Sequence, residues 1–450
     1  MKRALALTLA IALHLPAHAG EVLPAELAGV WGTAASLDSG SAAQNFFHLE
    51  PDGFGFAVGS GAIKRPNGQA IEAVRSQAQL NQALASGPTP LDALTPYGKR
   101  RFMRGLRWGE HGLGGFSFAS VQRELDPEQA RAVLRFIDAE NLLPMLSQGM
   151  VGPPLRLPAP SADIEQSLAE FERFASGDDE RRHDAGTAET TLQRRTVLQR
   201  YRELFGSRMD AAALKGQPSG YLLPLFDAAA LAAEKSPGST AFGDLLLVHA
   251  ELAARGVDTR RTLDDGVLHA MLAARRFEQA RSFATGKPQL AHRTVPRVVD
   301  TLGPDFSGRS EFRYDAASAT LTRHAFAPRN RRMLLMVVGE GCHFSRDALA
   351  AITGDAALLA RLREAGLTLI VPPQSPIPLA YVSEWNAAHP ELPIHIPAYP
   401  QEWQDIDVAG TPEFHLLARG KPVARRSGWP AGGNRAALAE LLDKADRQGQ

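Results

Sequence analysis

One cysteine, Cys342, stands in 450 residues. A lone thiol cannot close a disulfide within its own chain, so cross-linking is excluded as a source of stability and packing must supply it. Long apolar runs are scarce too. The stretch from Ala4 to Leu15 is well short of the roughly 20 residues that cross a bilayer, and no later segment is long and apolar enough. Net charge is missing as well: 49 Lys and Arg balance 49 Asp and Glu. That balance removes the electrostatic footprint of a nucleic-acid binder or of a protein held on acidic lipid, so no nucleic-acid partner is expected. There is no glycine-rich phosphate loop, no G-x-S-x-G elbow and no H-E-x-x-H pair, which leaves nucleotide and hydrolase readings without an anchor.

What the chain does have begins at its first residues. Lys2 and Arg3 precede the apolar stretch, and Ala17-His18-Ala19 follows it, the order of a secretory signal peptide with cleavage after Ala19. Gly20 and Glu21 stand where a lipoprotein would need a cysteine. The expectation is a soluble periplasmic protein with a signal peptide over residues 1–19 and no stable membrane insertion after cleavage. The remaining length of about 430 residues exceeds one ordinary core and predicts two or three domains.

Residues 20–125 read as a small β-rich domain. In NFFHLEPDGFGFAVGSG, the turn tripeptide Pro51-Asp52-Gly53 joins two aromatic runs into a hairpin, and LRWGEHGLGGFSFASVQREL repeats that style. A helical or loose segment interrupts near residues 73–85. From Asp126 the pattern changes. An Asp cap, Pro127 in the first turn, and Ala130, Val133, Leu134 and Ile137 on one face predict a helix. Further helices are predicted near 164–175, 190–205, 226–235, 241–255 and 263–283, making 126–300 an irregular helical domain. The charged stretch SGDDERRHDAGTAE reads as a solvated connection between helices rather than a metal site.

Residues 310–450 carry the chemistry. Met333 to Val338 is a continuous apolar strand of the kind buried on both faces. Helix follows Cys342, with an interruption at Gly354-Asp355 and a stop at Gly366. LTLIVPP, LAYVSEWNAAHPEL and PIHIPAY read as strand, helix and strand. A hairpin turning at Arg419-Gly420-Lys421 and a last amphipathic helix complete a β-α-β-α-β-β-α order, and SEFRYDAASATLTRHAFAP is an added hairpin leading in. Parallel neighbours in such a sheet require right-handed crossovers.

This order resembles the thioredoxin-like family. Cys342-His343-Phe344-Ser345 places a C-x-x-S at the strand-to-helix junction where thioredoxins carry C-x-x-C. Gly410-Thr411-Pro412 stands where the family places its cis-proline, and Gly428-Trp429 fits the glycine before the last helix. The resemblance implies a multidomain protein whose C-terminal domain is α/β thioredoxin-like, beside a small β-rich N-terminal and a helical middle domain. It implies Cys342 and Ser345 as the catalytic pair, and His343, Phe344, Thr411 and Pro412 as the residues that meet a substrate chain, the partners being thiols or disulfides of client proteins.

A helix start stabilises a thiolate through its free amides and positive dipole end. His343, if protonated, favours the thiolate, and Glu340 opposes it. Ser345 cannot resolve a mixed disulfide, so a thiol from outside must. Monothiol relatives with C-G-F-S bind an iron–sulfur cluster, but His343 replaces the glycine, and no cofactor is expected. Cys342 with His343 and His415 or His395 offers ligands of suitable softness for copper, yet adjacent Cys and His rarely reach one ion, and no metal is expected. The competing reading is a non-catalytic scaffold, with Cys342 a small apolar residue at a tight junction.

Overall fold

The computed structural model describes residues 72–109, 112–115, 117–147, 149–182, 187–327, 332–340, 342–406, 408, 410–429, 433 and 435–447, with the backbone of five short strands before residue 72. The expected signal peptide lies outside the described residues. Among the described residues no helix is long and apolar enough to cross a membrane. The chain is a mixed α/β protein that groups into two compact units: Met1–Ala159 with Gly256–Asp265, and Pro160–Arg255 with Gly266–Gln450. Domain borders near 125 and 310 do not coincide with this grouping.

In the first unit, β1 (Gly29–Trp31), β2 (Phe47–Glu50) and β3 (Gly53–Gly55) form an antiparallel sheet, with Glu50 opposite Gly53 across the hairpin. The strands β4 (Ile63–Lys64) and β5 (Ala70–Ile71) pair separately. Helices then dominate: α1 (Gln77–Ala85) and α2 (Pro96–Gly105) precede the hairpin of β6 (Arg107–Gly109) and β7 (Gly112–Gly115). The chain continues through α3 (Ala119–Glu124), α4 (Pro127–Phe136) and α5 (Leu143–Ser147). A strand through FASVQREL is therefore corrected to α3; Val121 within it and Leu125 at its C-cap, four residues on, are fully buried.

The predicted face of α4 holds, with Ala130, Val133, Leu134 and Ile137 all inaccessible to solvent. Burying each of the larger aliphatics there contributes about 1.5–3 kcal/mol. The excursion Gly256–Asp265 is tied in by Arg261, which donates from Nε to Gln122 O at 2.5 Å, from Nη1 to Gly152 O at 2.8 Å, and from Nη2 to Leu125 O.

The second unit opens with α6 (Ala162–Arg182), α7 (Thr187–Phe205), α8 (Ala211–Gly216), α9 (Ser219–Lys235) and α10 (Thr240–Ala254). The acidic pair Asp178 and Asp179 thus lies on a helix; His183 and Asp184 are outside the described residues. The single helix expected over 263–283 is two, α11 (Leu263–Ala273) and α12 (Phe277–Ala284). The break is Arg275, at φ 58 and buried. Its guanidinium donates to Ala398 O at 3.0 Å, Ser375 O at 2.8 Å and Pro373 O at 3.2 Å, and burial pulls its pKa down to about 9.

An eight-stranded mixed sheet follows, in the order β15-β14-β11-β12-β13-β9-β10-β8. Its members are β8 (Arg297–Asp300), β9 (Ser310–Asp315), β10 (Thr320–Ala325), β11 (Arg332–Val337), β12 (Leu367–Ile370), β13 (Ile394–Pro397), β14 (Glu413–Ala418) and β15 (Lys421–Ser427). The helices α13 (His343–Thr353) and α14 (Ala356–Glu364) lie between β11 and β12, α15 (Leu379–Ala388) between β12 and β13, and α16 (Arg435–Arg447) after β15. Strands β11, β12 and β13 are parallel neighbours, β14 runs antiparallel to β11, and β15 returns against β14. Strand β8 was not foreseen; it pairs parallel to β10.

Alternation sorts the two faces of β11. Leu334, Met336 and Val338 join Phe414, Ile352, Leu362 and Leu438 in one core, which also takes in Phe277. Met333, Leu335 and Val337 join Ile370, Leu417, Trp403 and Ile406 in the other. Both faces of β11 are therefore apolar, as its unbroken apolar sequence requires.

Candidate functional site

The site sits where β11 ends. The ladder continues one residue past the strand, with Val338 N donating to Ile370 O at 2.9 Å. The chain then turns through Gly339 and Glu340, and Cys342 N donates to Gly339 O at 3.3 Å. Helix α13 starts at once, and the Cys342 carbonyl accepts its first bond from Arg346 N at 3.1 Å. Cys342 is the N-cap, half-buried, and its side chain accepts no amide of the helix.

The thiol instead donates to the Thr411 carbonyl, with Sγ 3.0 Å from the oxygen. Thr411 precedes Pro412 through a cis peptide bond and leads into β14, the antiparallel neighbour of β11. Residues 69 apart in sequence therefore meet at the ends of adjoining strands. Gly339 makes the approach possible: a Cβ there would overlap the Thr411 hydroxyl, and would lie 3.2 Å from Thr411 Cβ and 3.4 Å from Cys342 Cβ. The far end of the segment is fixed by Gly428 N, which donates to Pro412 O at 2.8 Å.

The other expected residues divide. Ser345 is fully buried, and its Oγ accepts from Gly339 N at 3.2 Å, so it braces the turn beneath the thiol. Phe344 is on the outside, 43% exposed, one of few large apolar side chains so placed. His343 opens α13, and its side chain lies outside the described residues. His395 and His415 do not converge on Cys342. His395 bonds Glu311 through Nδ1, while His415 is buried on β14 with Nε2 3.8 Å from Glu413. Among the described residues there is no group of three side chains suited to hold a metal ion.

Glu340 was singled out in the sequence; its neighbours Tyr381, Glu384 and Arg293 were not. Burial, and then the like charge of Glu384, hold the Glu340 carboxyl above its ordinary range, while Arg293 acts in the opposite sense. Tyr381 of α15 is pushed up to about 12, by burial first and then by the negative charges that Cys342 and Glu340 carry when ionised. Glu384 thus acts on Glu340, and Tyr381 stays protonated beside the thiol and Glu340. Nothing local in the sequence marks these residues, because α15 is brought there by the crossover between β12 and β13.

No protein-family model matches the chain, and no curated protein matches it. One solved structure is similar: the crystal structure of a thioredoxin-like protein from Bacteroides caccae ATCC 43185, at 14% identity. The match has a TM-score of 0.21 and covers 65% of this chain and 99% of that one. At that score the likeness bears on neither mechanism nor substrate.

Chemically, the arrangement offers one half-buried sulfur at a helix start, a backbone carbonyl beside it, an exposed aromatic ring, and a serine where a second sulfur would be needed for intramolecular release. The S–H that donates to Thr411 must lose its proton before the sulfur becomes a nucleophile.

Proposed function

We propose that this protein is an exported, thioredoxin-like thiol protein that engages client thiols or disulfides through Cys342. The observation that carries the reading is the 3.0 Å approach of Cys342 Sγ to the carbonyl of Thr411, at the ends of two adjoining strands. An isolated structural cysteine has no need of a helix start, a facing extended segment and a glycine that makes room for both. In the reaction, the Cys342 thiolate attacks a client disulfide, one S–S bond forms as another breaks, and the client's second sulfur leaves as a thiolate that takes up a proton. Phe344 and the Thr411-Pro412 segment receive the client chain. Ser345 has no sulfur with which to release it, so the mixed disulfide persists until an outside thiol arrives.

A second reading, a non-catalytic scaffold, is favoured by the same hydrogen bond if the S–H is there to link Cys342 to Thr411. The two readings part on Ser345→Cys. Position 345 is one helical turn from Cys342, within the roughly 4.4–6.8 Å Cα separation that a disulfide spans. A working site gives an internal disulfide and dithiol exchange in the variant, and a long-lived mixed disulfide in the wild type, read by mass and by thiol titration. Export is tested by finding the chain in the periplasmic fraction, cleaved after Ala19. The reading fails if folded wild type reacts with a neutral disulfide no faster than a free model thiol and the engineered pair stays reduced in oxidising buffer.

A further inference from the structure

The hairpin of β14 and β15 begins with a buried charged cluster that the chemistry above does not use. Glu413, the residue after Pro412, is inaccessible to solvent; its Oε1 lies 3.0 Å from Arg425 Nε and accepts from Ser427 Oγ at 3.3 Å. Both anchors stand on β15, with Ser427 directly opposite Glu413 in the ladder. His415, also buried, brings Nε2 within 3.8 Å of the same oxygen. The sheet pairs Glu413 with Val337, so the carboxylate lies on the face that Val337 shares with Ile370, Trp403 and Ile406. That is an expensive place for a charge. A buried ion pair loses about as much in hydration as it returns in attraction, so an apolar pair of similar volume would hold the hairpin as well. What an apolar pair lacks is direction: a carboxylate bonded to two groups of the next strand fixes its own chain at one place. That chain is the Thr411-Pro412 segment. The Pro412 carbonyl accepts from Gly428 N at 2.8 Å, and the Thr411 carbonyl lies 3.0 Å from Cys342 Sγ. Three consecutive residues thus join β15 to the thiol.

We propose that Glu413 is a positioning residue of the thiol site: its carboxylate, held by Arg425 and Ser427, keeps the Thr411 carbonyl on Cys342 Sγ and keeps the same segment set for a client chain. The part that concerns the client rests on the function proposed above; the part that concerns the hydrogen bond does not. Glu413 acts through the backbone. A shift of the chain at residue 413 carries Pro412 and Thr411 with it, and a hydrogen bond of 3.0 Å between a weak donor and one carbonyl does not survive a displacement of an ångström.

The test uses the full chain. Its single cysteine gives a single S–H stretching band in the infrared, and an S–H that donates to a carbonyl absorbs at lower frequency than a free one. Wild type is compared with E413Q and with E413L and R425M combined, each shown to be folded by its urea midpoint. E413Q retains an oxygen for Arg425 and Ser427 and is expected to keep the low band. The combined variant is expected to keep the wild-type midpoint while its band moves to the free position. A midpoint kept with the band still low would mean that the pair serves stability alone, and overturns the assignment. Should the combined variant not fold, S427A removes one anchor without stranding a charge: a shifted band supports the assignment and an unshifted one overturns it. The client is tested by rates with 2-hydroxyethyl disulfide and with the disulfide of an acetylated Gly-Cys-Gly amide, taken as a ratio so that any change in Cys342 ionisation cancels. The ratio of peptide to small disulfide should fall on the order of tenfold in the combined variant, since only the peptide uses the Thr411 segment. An unchanged ratio overturns the part that concerns the client. If wild-type Cys342 reacts with neither disulfide, the proposed function has failed, and the band still decides whether Glu413 places Thr411.

Discussion

At Asp126 the chain enters a helix by giving a carboxylate oxygen to the amides of Glu128 and Gln129, at 2.9 Å each. At Cys342 it enters one with the side chain turned away, donating to Thr411 and accepting from no amide of α13. The first start uses its side chain for the helix, and a cap of that kind contributes about 1 kcal/mol. The second forgoes that contribution and leaves the positive end of the helix facing the sulfur's surroundings. The lesson is that an N-cap residue unable to cap marks a place where local stability has been set aside for another contact.

The contrast can be broken first at Gly339. Gly339→Ala places a Cβ against the Thr411 hydroxyl, and is expected to destabilise the second unit by about 1–3 kcal/mol. The same substitution should slow alkylation or disulfide exchange at Cys342, because the Thr411 segment must move. A urea midpoint and a thiol-reagent rate measure both, and an unchanged midpoint would show that the close approach is not rigid. Next comes the pair of caps: Asp126→Ala is expected to cost about 1–2 kcal/mol in urea unfolding. Cys342→Ala should cost less than about 1 kcal/mol, since S–H is a weak donor and no cap is lost. Equal costs would mean that the two starts do not differ in kind.

The smallest effect sharpens the electrostatic side. Folding raises the Glu340 pKa, so the folded state holds that proton more tightly than the unfolded chain does. Glu340's stabilising contribution is full below the ordinary glutamate range and is lost as pH rises through its folded value. Glu340→Gln should therefore match the wild type in stability near pH 3.5 and exceed it slightly at neutral pH. It should also speed the reaction of Cys342 with a neutral disulfide by removing an anion beside it. Urea midpoints at the two pH values check the sign, and a variant less stable at neutral pH would contradict it.

Much of the second unit is legible because its signals are local. The unbroken run Met333–Val338 can only be a strand apolar on both faces, and β11 covers Arg332–Val337. Gly354-Asp355 ends one helix and caps the next, with Asp355 accepting from Leu358 N at 3.0 Å. Arg419 and Gly420, at φ 51 and 77, turn the β14–β15 hairpin. What escaped reading depends on partners far along the chain. Strand β8 has an alternation too short to announce itself, and it exists because β10 offers an edge. Helix α2 carries a Thr95 cap, its Oγ1 accepting from Gly98 N at 3.0 Å, but Gly98 and Gly105 inside it obscure the pattern. At the site, Cys342, Ser345 and the Thr411-Pro412 pair are visible as residues. Tyr381 and Glu384 are not, since the crossover helix α15 carries them there, nor is Arg293, which lies on the segment between α12 and β8.

Arg275 bears on the order in which this molecule can be assembled. The carbonyls it serves belong to Pro373, Ser375 and Ala398, which lie 98, 100 and 123 residues further along the chain. A chain that emerges from its amino end can offer this guanidinium only the nearby Leu272 carbonyl until residue 373 is out, and the full set waits for residue 398. Burying it any earlier would strand a charge in an apolar core, at a desolvation penalty of several kcal/mol. The turn between α11 and α12 therefore gains its full set of partners only with the residue that follows β13. Contacts that span 98 to 123 residues form more slowly than the helices on either side of the turn, so this closure comes late in the folding of the second unit.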